Sequence, residues 1–467
     1  MELRIDRQAL VPVVQQIVDA VAGWIRREEV SPGTRLPSTR ALARDNLVSQ
    51  SSVIEAYERL ITQGVLASRH GSGFVVAAPL PVSACACDVA WFEGSEPQRI
   101  DRVDAGPAAL KLCCGSLPES WRETDDLSYA IRQVTRTDMA GLFSYSTPLG
   151  LPALRQQILK RLKLLDIPAS EDSLLSTAGA SQALDLVVRT LLKPGDCVVV
   201  ENPGYAPLFD LLRLHGVRMV EVPRTPRGPD IDILEAVLAS NRPQALFINS
   251  FFHNPTGSNL APAVANRVLA LAKHYGVLVI EDDVYADLNS PCGARLASRA
   301  GDTSVIYVGS FSKTLSSSLR VGFVVAPSEM VARLAEVKMV SSMGASRFCE
   351  AVLANLLANG AYRKLVQRQR QRLSCHRAQV LQALDDAEWE VFGKPSGGLF
   401  VWARAKWLNH EQLRELASDC GVQLSSPGAF SPTGEAGNWL RINVAFGSDP
   451  RAMTFFKAAT RDRPRMF

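Results

Sequence analysis

Ser310-Phe311-Ser312-Lys313, followed along the chain by Arg320 and Gly322, is the stretch best suited to covalent chemistry in this 467-residue sequence. The apolar run Val305-Ile306-Tyr307-Val308 just ahead of it predicts a buried strand. The lysine therefore sits on a small-residue loop at a strand's C-terminal end, where open α/β sheets bind ligands. Partial burial among Ser310, Ser312, Ser316, Ser317 and Ser318 would lower its pKa toward an amine able to form a Schiff base. Arg320 supplies a cation for a phosphate. An S-x-S-K pattern standing alone reads better as an ordinary loop lysine, so its meaning depends on the other loops.

Those loops form an ordered set. Thr177-Ala178-Gly179-Ala180-Ser181-Gln182 predicts a turn with no strand ahead of it, leading into an apolar helix from Ala183 to Leu192 whose N-terminus can hold a phosphate through backbone N–H groups. Pro203-Gly204-Tyr205 offers an aromatic face. His253-Asn254-Pro255-Thr256-Gly257 offers a side-chain amide on a tight turn. Glu281-Asp282-Asp283-Val284-Tyr285 places an acid three residues before a phenol. With the lysine loop, these residues describe a site for a phosphorylated pyridine aldehyde. Lys313 is the amine, Asp282 the carboxylate that keeps a ring nitrogen protonated, and Asn254 and Tyr285 the donors to a ring hydroxyl. Tyr205 stacks on the ring, and Ala180, Ser181, Ser310 and Arg320 form the phosphate cup.

The elements that must position this set follow from the apolar pattern. From Leu112 onward, near-continuous runs (Cys197 to Val200, Ala245 to Ile248, Val277 to Ile280, Val305 to Val308, Phe323 to Val325) alternate with helical patterns. Such runs predict a mostly parallel sheet covered on both faces.

The first 78 residues read differently. Apolar residues at helical spacing from Val13 to Ile25 predict one helix, ended by Ser31-Pro32-Gly33. Ser38 then caps a short helix carrying Leu42 and Ala43, and Ser49 caps a longer one through Val53, Ala56, Tyr57 and Leu60. Gly64 ends that helix, and the alternating residues 65–76 predict a two-stranded wing. Helix, helix-turn-helix and wing together make a DNA-reading module. Residues 1–78 hold nine arginines and no lysine against eight acids, so the case rests on placement rather than net charge. Gln50, Ser51 and Ser52 open the recognition helix. Arg35, Arg40, Arg44 and Arg69, with His70 and Gly71 in the wing, fall where phosphates and the minor groove are met. Residues 79–108, rich in proline and acids, read as a tether; about thirty flexible residues span on the order of 30 Å.

Composition bounds the rest. The length predicts two or three domains, and 47% hydrophobic residues suffice for a large core. A net charge of +4 is compatible with nucleic acid without arguing for it. Nine cysteines with no disulfide-framework spacing favour a reducing cytoplasm. Cys85-x-Cys87 and Cys113-Cys114 lack a nearby histidine and make a poor zinc signature, so no metal is expected. No signal-peptide core or bilayer-spanning run is present, which predicts a soluble, cytoplasmic protein.

The motifs H-N-P-T-G, E-D-D-x-Y and S-F-S-K-T-L-x-x-x-L-R-x-G resemble those of fold-type I aminotransferases dependent on pyridoxal 5'-phosphate. The resemblance implies two further residues. Phe143-Ser144-Tyr145 ahead of Gly150-Leu151 resembles the segment whose tyrosine reaches the cofactor phosphate of the neighbouring subunit, and Leu440-Arg441-Ile442-Asn443 resembles the strand whose arginine binds a substrate α-carboxylate. Ser316-Ser317-Ser318 lacks the proline that many relatives carry before the arginine. The N-terminal series P-G-T-R-L-P-S-T-R, A-Y-E-R-L-x-x-x-G and S-R-x-G-S-G-F resembles the winged helix of GntR regulators, except that Gln50 stands where a basic residue is common. The whole chain is thus similar to the MocR subfamily. That implies a winged helix-turn-helix domain (1–78), a linker (79–108) and an aminotransferase class I/II-like domain (109–467). It also implies operator DNA and a second copy of the chain as partners, and an amino compound as a small-molecule effector. The expected function is a regulator that senses the cofactor or that effector. An active aminotransferase with a fused DNA-binding module is the alternative, and the complete pyridoxal set counts against a third reading, a bare dimerisation scaffold.

Overall fold

The structure, a computed structural model, describes residues 3, 5, 6, 11–28, 30–69, 73–77, 109–122, 124–288, 294–301, 305–393, 395–426, 428–435 and 437–460. The chain divides into two compact units between Glu93 and Gly94. The expected linker, its Cys85-x-Cys87 pair, the Arg69 side chain, His70 and Gly71 lie outside the described residues.

In the smaller unit, helices Val13–Arg27, Thr39–Asp45 and Gln50–Thr62 enclose Ile17, Val21, Leu42, Val53, Tyr57 and Leu60. The helix starts are those that capping chemistry requires. The Ser38 hydroxyl accepts from the Ala41 amide at 3.2 Å and the Ser49 hydroxyl from the Ser52 amide at 3.0 Å, each satisfying an N–H that a helix start otherwise leaves open. The wing pairs Leu66–Arg69 antiparallel with Gly73–Val76, and Arg35 bridges to Val75 on its other side. Tyr57 fixes the wing to the helices, its ring edge-on to Phe74 and its hydroxyl donating to the Pro37 carbonyl at 3.1 Å.

The larger unit is built on an eight-stranded sheet. Its order is Leu174–Thr177, Gly322–Val325, Val305–Ser310, Leu278–Asp282, Ala245–Asn249, Cys197–Asn202, Arg218–Thr225, Gly228–Pro229. The strands from Val305–Ser310 to Arg218–Thr225 are parallel, and Gly322–Val325 runs against both neighbours. All five expected strands are present. The expectation fails at Thr177: this residue ends the strand Leu174–Thr177, and the following helix starts at Ala180, not Ala183. A four-residue edge strand is too short for its period to register.

Alternation along each strand supplies two apolar faces. Val198 and Val200 pack with the helices Ala180–Leu191 and Ser328–Ser342 on one side, and Val199 packs with Ile231–Asn241 and Pro262–Tyr275 on the other. The register sets Asn249 opposite Asp282, Asp282 opposite Val308, Ser310 opposite Gly322 and Gly322 opposite Thr177. The loops that carry chemistry therefore leave the sheet at one level. A three-stranded sheet, Glu390–Val391, Phe400–Arg404 and Leu440–Asn443, packs with the 26-residue helix Ala361–Asp386 and supplies the remaining wall.

Candidate cofactor and ligand site

The strand ends open into a cavity of about 640 Å³ lined by Lys313, Asp282, Tyr285, Asn254, Tyr205, Ala180, Ser181, Ser310 and Arg320. All nine of the residues assigned from loop sequences meet there. Burial pushes the Lys313 ammonium down to about 8, helped by nearby Arg441 and opposed by Asp282. Its Nζ donates to the Gly115 carbonyl at 3.0 Å.

Strand alternation selects the acid of the Glu281-Asp282-Asp283 run that faces the cavity. Glu281 points the other way, accepting from Ser250 Oγ at 2.5 Å and from the amides of Leu296 and Ala297. Asp283 pairs with Arg295 at 2.6 Å and accepts from Tyr307 Oη at 2.9 Å. Asp282 is left toward the cavity, with burial raising its carboxyl to about 7. A carboxyl that is costly to ionise in a dry site is suited to a cationic partner such as a ring N–H.

The phosphate end depends on glycine. A side chain at Gly322 would place its Cβ 2.7 Å from the Gly179 carbonyl carbon and 2.8 Å from the Ala180 nitrogen, and Gly179 has φ +87°. Both positions let the lysine loop close onto the start of the Ala180–Leu191 helix. Arg320, itself left-handed at φ 49°, reaches the Ala178 and Ser317 carbonyls and Ser312 Oγ at 3.3–3.4 Å. Its guanidinium is thereby aimed at the same turn. Tyr285 is buried and Tyr205 half-buried, and loss of solvation pushes the Tyr205 phenol up to about 12 and the Tyr285 phenol up as well. A carboxyl at one end, amides and hydroxyls with an arginine at the other, and an amine between them fit pyridoxal 5'-phosphate.

Arg441 is buried between the rings of Phe400 and Phe430, whose centroids lie 4.6 and 4.8 Å from its guanidinium carbon. It donates through Nη1 to Asn254 Oδ1 at 3.0 Å and through Nε and Nη2 to the Cys113 carbonyl. Neither Arg441 nor Tyr145 is among the residues that line the cavity, and Tyr145 is 75% exposed on the surface.

Sequence reasoning missed two supports of the site. One is the Cys113–Ser116 backbone, whose carbonyls carry no side-chain signal. The other holds the lysine loop from behind: Thr314 Oγ1 shares a hydrogen bond with Tyr362 Oη at 2.6 Å, Tyr362 donates to Asp287, and Gln369 Nε2 donates to the Thr314 carbonyl at 2.6 Å. These partners lie far apart in sequence, so only the fold brings them together.

In the DNA-reading module, Gln50 and Ser51 are exposed at the start of the Gln50–Thr62 helix, with Ser52 half-buried beside the Ser49 cap. Arg35 and Arg40 are exposed on the segments before and in the first helix of the pair. Arg44 pairs with Asp45 at 3.0 Å in the open, where such a pair contributes little stability.

Residues 108–456 match the aminotransferase class I and II family, and residues 13–76 match the gntR family of bacterial regulatory proteins. The uncharacterized HTH-type transcriptional regulator YdfD of Bacillus subtilis is 28% identical over 94% of this chain and 93% of its own. The 2-aminoadipate transaminase of Thermus thermophilus is 37% identical over 76% of this chain and 90% of its own. Among solved structures, the α-aminoadipate aminotransferase LysN of Thermus thermophilus, complexed with N-(5'-phosphopyridoxyl)-L-leucine, superposes with a TM-score of 0.69 at 28% identity, covering 76% of this chain and 92% of that one. No helix among the described residues is long and apolar enough to cross a membrane. The chain therefore belongs to the aminotransferase class I and II family, a family dependent on pyridoxal 5'-phosphate, and joins that domain to a gntR-type helix-turn-helix module as the MocR regulators do.

Proposed function

We propose that the protein is a DNA-binding transcription regulator whose aminotransferase-like domain binds pyridoxal 5'-phosphate and senses it, or an amino compound that reacts with it. The observation that carries this reading is the convergence of Lys313, Asp282 and the glycine-built phosphate turn on one cavity, in a chain that also holds a capped helix-turn-helix and wing. When bound, the cofactor supplies an aldehyde that captures amines and a ring that withdraws electrons. Lys313 presents an amine with a lowered pKa, Asp282 holds a proton at the ring nitrogen, Asn254 and Tyr285 orient the ring hydroxyl, and Tyr205 covers one ring face. Arg320, Ser181, Ser310 and the Ala180 amide bind the phosphate, and Arg441 takes the carboxylate of an amino-acid effector.

The site is completed by a second copy of the chain in this reading. Tyr145 and its neighbour Phe143 are exposed, at 75% and 88%, on a segment that is firmly held from below. Buried Glu350 accepts from Ser146 Oγ and from the Leu151 amide, and Lys338 donates to the Pro148 carbonyl at 2.9 Å. A tyrosine exposed on a backbone held in this way can reach a partner's phosphate turn at the cost of ordering its side chain alone. The domain limits 1–78, 79–108 and 109–467 belong to the same proposal.

The 37% identity to a transaminase favours a second reading, an active aminotransferase with a DNA-binding module. A DNA-binding titration with and without cofactor tests the first reading, and a steady-state transamination assay tests the second. Operator affinity that ignores the cofactor and every amino compound, alongside robust turnover, would leave only the second.

A further inference from the structure

Five consecutive carbonyls, Leu112 to Ser116, divide by alternation between two sets of donors. The Leu112 carbonyl accepts from the Asn443 amide at 2.9 Å, and those of Cys114 and Ser116 accept from the Asn443 side-chain amide at 2.9 and 2.8 Å. The two between them face the site cations. Cys113 O takes Nε and Nη2 of Arg441, and Gly115 O takes Lys313 Nζ. The backbone turns at Leu112–Cys113 and bends at Gly115–Ser116, which sends these carbonyls alternately to the two sets of donors, and Arg441 and Asn443, two apart on one strand, share a face. The segment is a ribbon with one edge fixed on Asn443 and the other on the two groups that handle a ligand's carboxylate and amine. Immediately upstream it becomes the two-residue strand Leu110–Lys111, paired with Val422–Gln423. In sequence, that strand is the first described element after the segment joining the site to the DNA-reading module.

We propose that Cys113–Gly115 is a latch: a ligand carboxylate takes Arg441 from the Cys113 carbonyl, and the released ribbon loosens the Leu110–Lys111 strand at the point where the DNA-reading half of the chain is joined. This rests on the cavity being the cofactor and amino-ligand site. The guanidinium offers a carboxylate two edges for paired hydrogen bonds, Nε with one Nη or the two Nη together. Nη1 is on Asn254, and Phe400 and Phe430 flank the guanidinium. A carboxylate that pairs with the Nε–Nη2 edge takes both N–H groups that hold the Cys113 carbonyl and so displaces it. A charged acceptor holds these donors more strongly than a neutral carbonyl, so the ligand wins the exchange. Two paired residues are a short anchorage, and loss of the neighbouring hold is felt there first. Asn443 acts as a positioning residue: it fixes the register in which Cys113 and Gly115 face the cations.

The test uses the full-length protein loaded with pyridoxal 5'-phosphate and offered each common L-amino acid and its decarboxylated amine. Cofactor absorbance and hydrogen–deuterium exchange of residues 110–116 are followed in parallel; the Leu110, Leu112 and Cys114 amides are bonded to the carbonyls of Gly421, Leu110 and Lys111. The expected result is that an amino acid that shifts the absorbance speeds exchange at these amides several-fold, whereas its amine shifts the absorbance and leaves exchange unchanged. An absorbance shift by amino acids with no change in exchange, or equal exchange with acid and amine, would overturn the latch and leave the site assignment standing. No absorbance shift with any probe would overturn both.

Discussion

In the proposed function Lys313 carries the chemistry, and its depressed pKa gives a pH prediction. At a pKa of about 8, set first by burial, the neutral amine should rise from about one-tenth of the population at pH 7 to about nine-tenths at pH 9. Chromophore formation on adding pyridoxal phosphate should therefore speed up about tenfold over that span and then level off. Borohydride should trap the chromophore on Lys313, and Lys313→Ala should abolish it; a colourless wild type would end the cofactor reading. Asp282 predicts the opposite pairing of stability and binding. Burial raises its carboxyl to about 7, so the folded protein holds a proton there that the unfolded chain releases near pH 4. The stability this proton contributes to cofactor-free protein is lost as pH rises from about 4 through 7. Asp282→Asn should thus stabilise cofactor-free protein above pH 7 by on the order of 1 kcal/mol, raising its melting temperature, while weakening cofactor binding at least about tenfold. Calorimetry and a cofactor titration on the same variant check both signs. At this scale side chains were legible because each has a chemical reason to stand in its loop. The carbonyls of Cys113 and Gly115 were not, since every residue has one and only the fold decides where it points.

Elements were legible where their period had room to repeat. The helix caps at Ser38 and Ser49 and five of the larger unit's strands follow from spacing and capping chemistry alone. The strand Leu174–Thr177 did not, because four residues at a sheet edge give no period, and its end sets the level of the phosphate turn. In the proposed docking of the DNA-reading module, its residues divide labour between phosphate and base. Arg35→Ala or Arg40→Ala should weaken operator binding about equally across sequences and flatten the salt slope by about one unit for each phosphate that is no longer neutralised. Substitutions at Gln50 or Ser51, exposed at the first turn of the Gln50–Thr62 helix, should instead change which bases are preferred. Binding measured from low to moderate salt on two operator variants separates these effects. Arginine variants with an unchanged salt slope would mean that another face of the module meets the DNA.

For the whole molecule, the two halves matter only if one biases the other, and a ligand can do this only through different affinity for two arrangements of the protein. In the proposed homodimer, completion of the cofactor site by Tyr145 makes that site and the assembly one system. Sedimentation of the full-length protein should show a dimer at micromolar concentration, and Tyr145→Phe should weaken cofactor binding without dissociating the dimer, since the hydroxyl is removed and the apolar ring is kept. Two signals are then distinguishable. If the cofactor itself is sensed, Lys313→Ala should lose the response and Arg441→Ala should keep it. If a carboxylate-bearing amine is sensed, Arg441→Ala should bind cofactor with an unchanged spectrum yet fail to answer that effector, because the buried Arg441 guanidinium, held between two aromatic rings, donates to Asn254, which lines the cavity. A DNA-binding titration of wild type, Lys313→Ala and Arg441→Ala, with and without cofactor and across a panel of amino acids, reads out both. Arg441→Ala answering every effector as wild type does, with Lys313→Ala silent, leaves the cofactor as the signal. If neither substitution alters any response, the cavity is not the sensor, and the aminotransferase-like domain serves the DNA-reading module in some other way than by ligand occupancy.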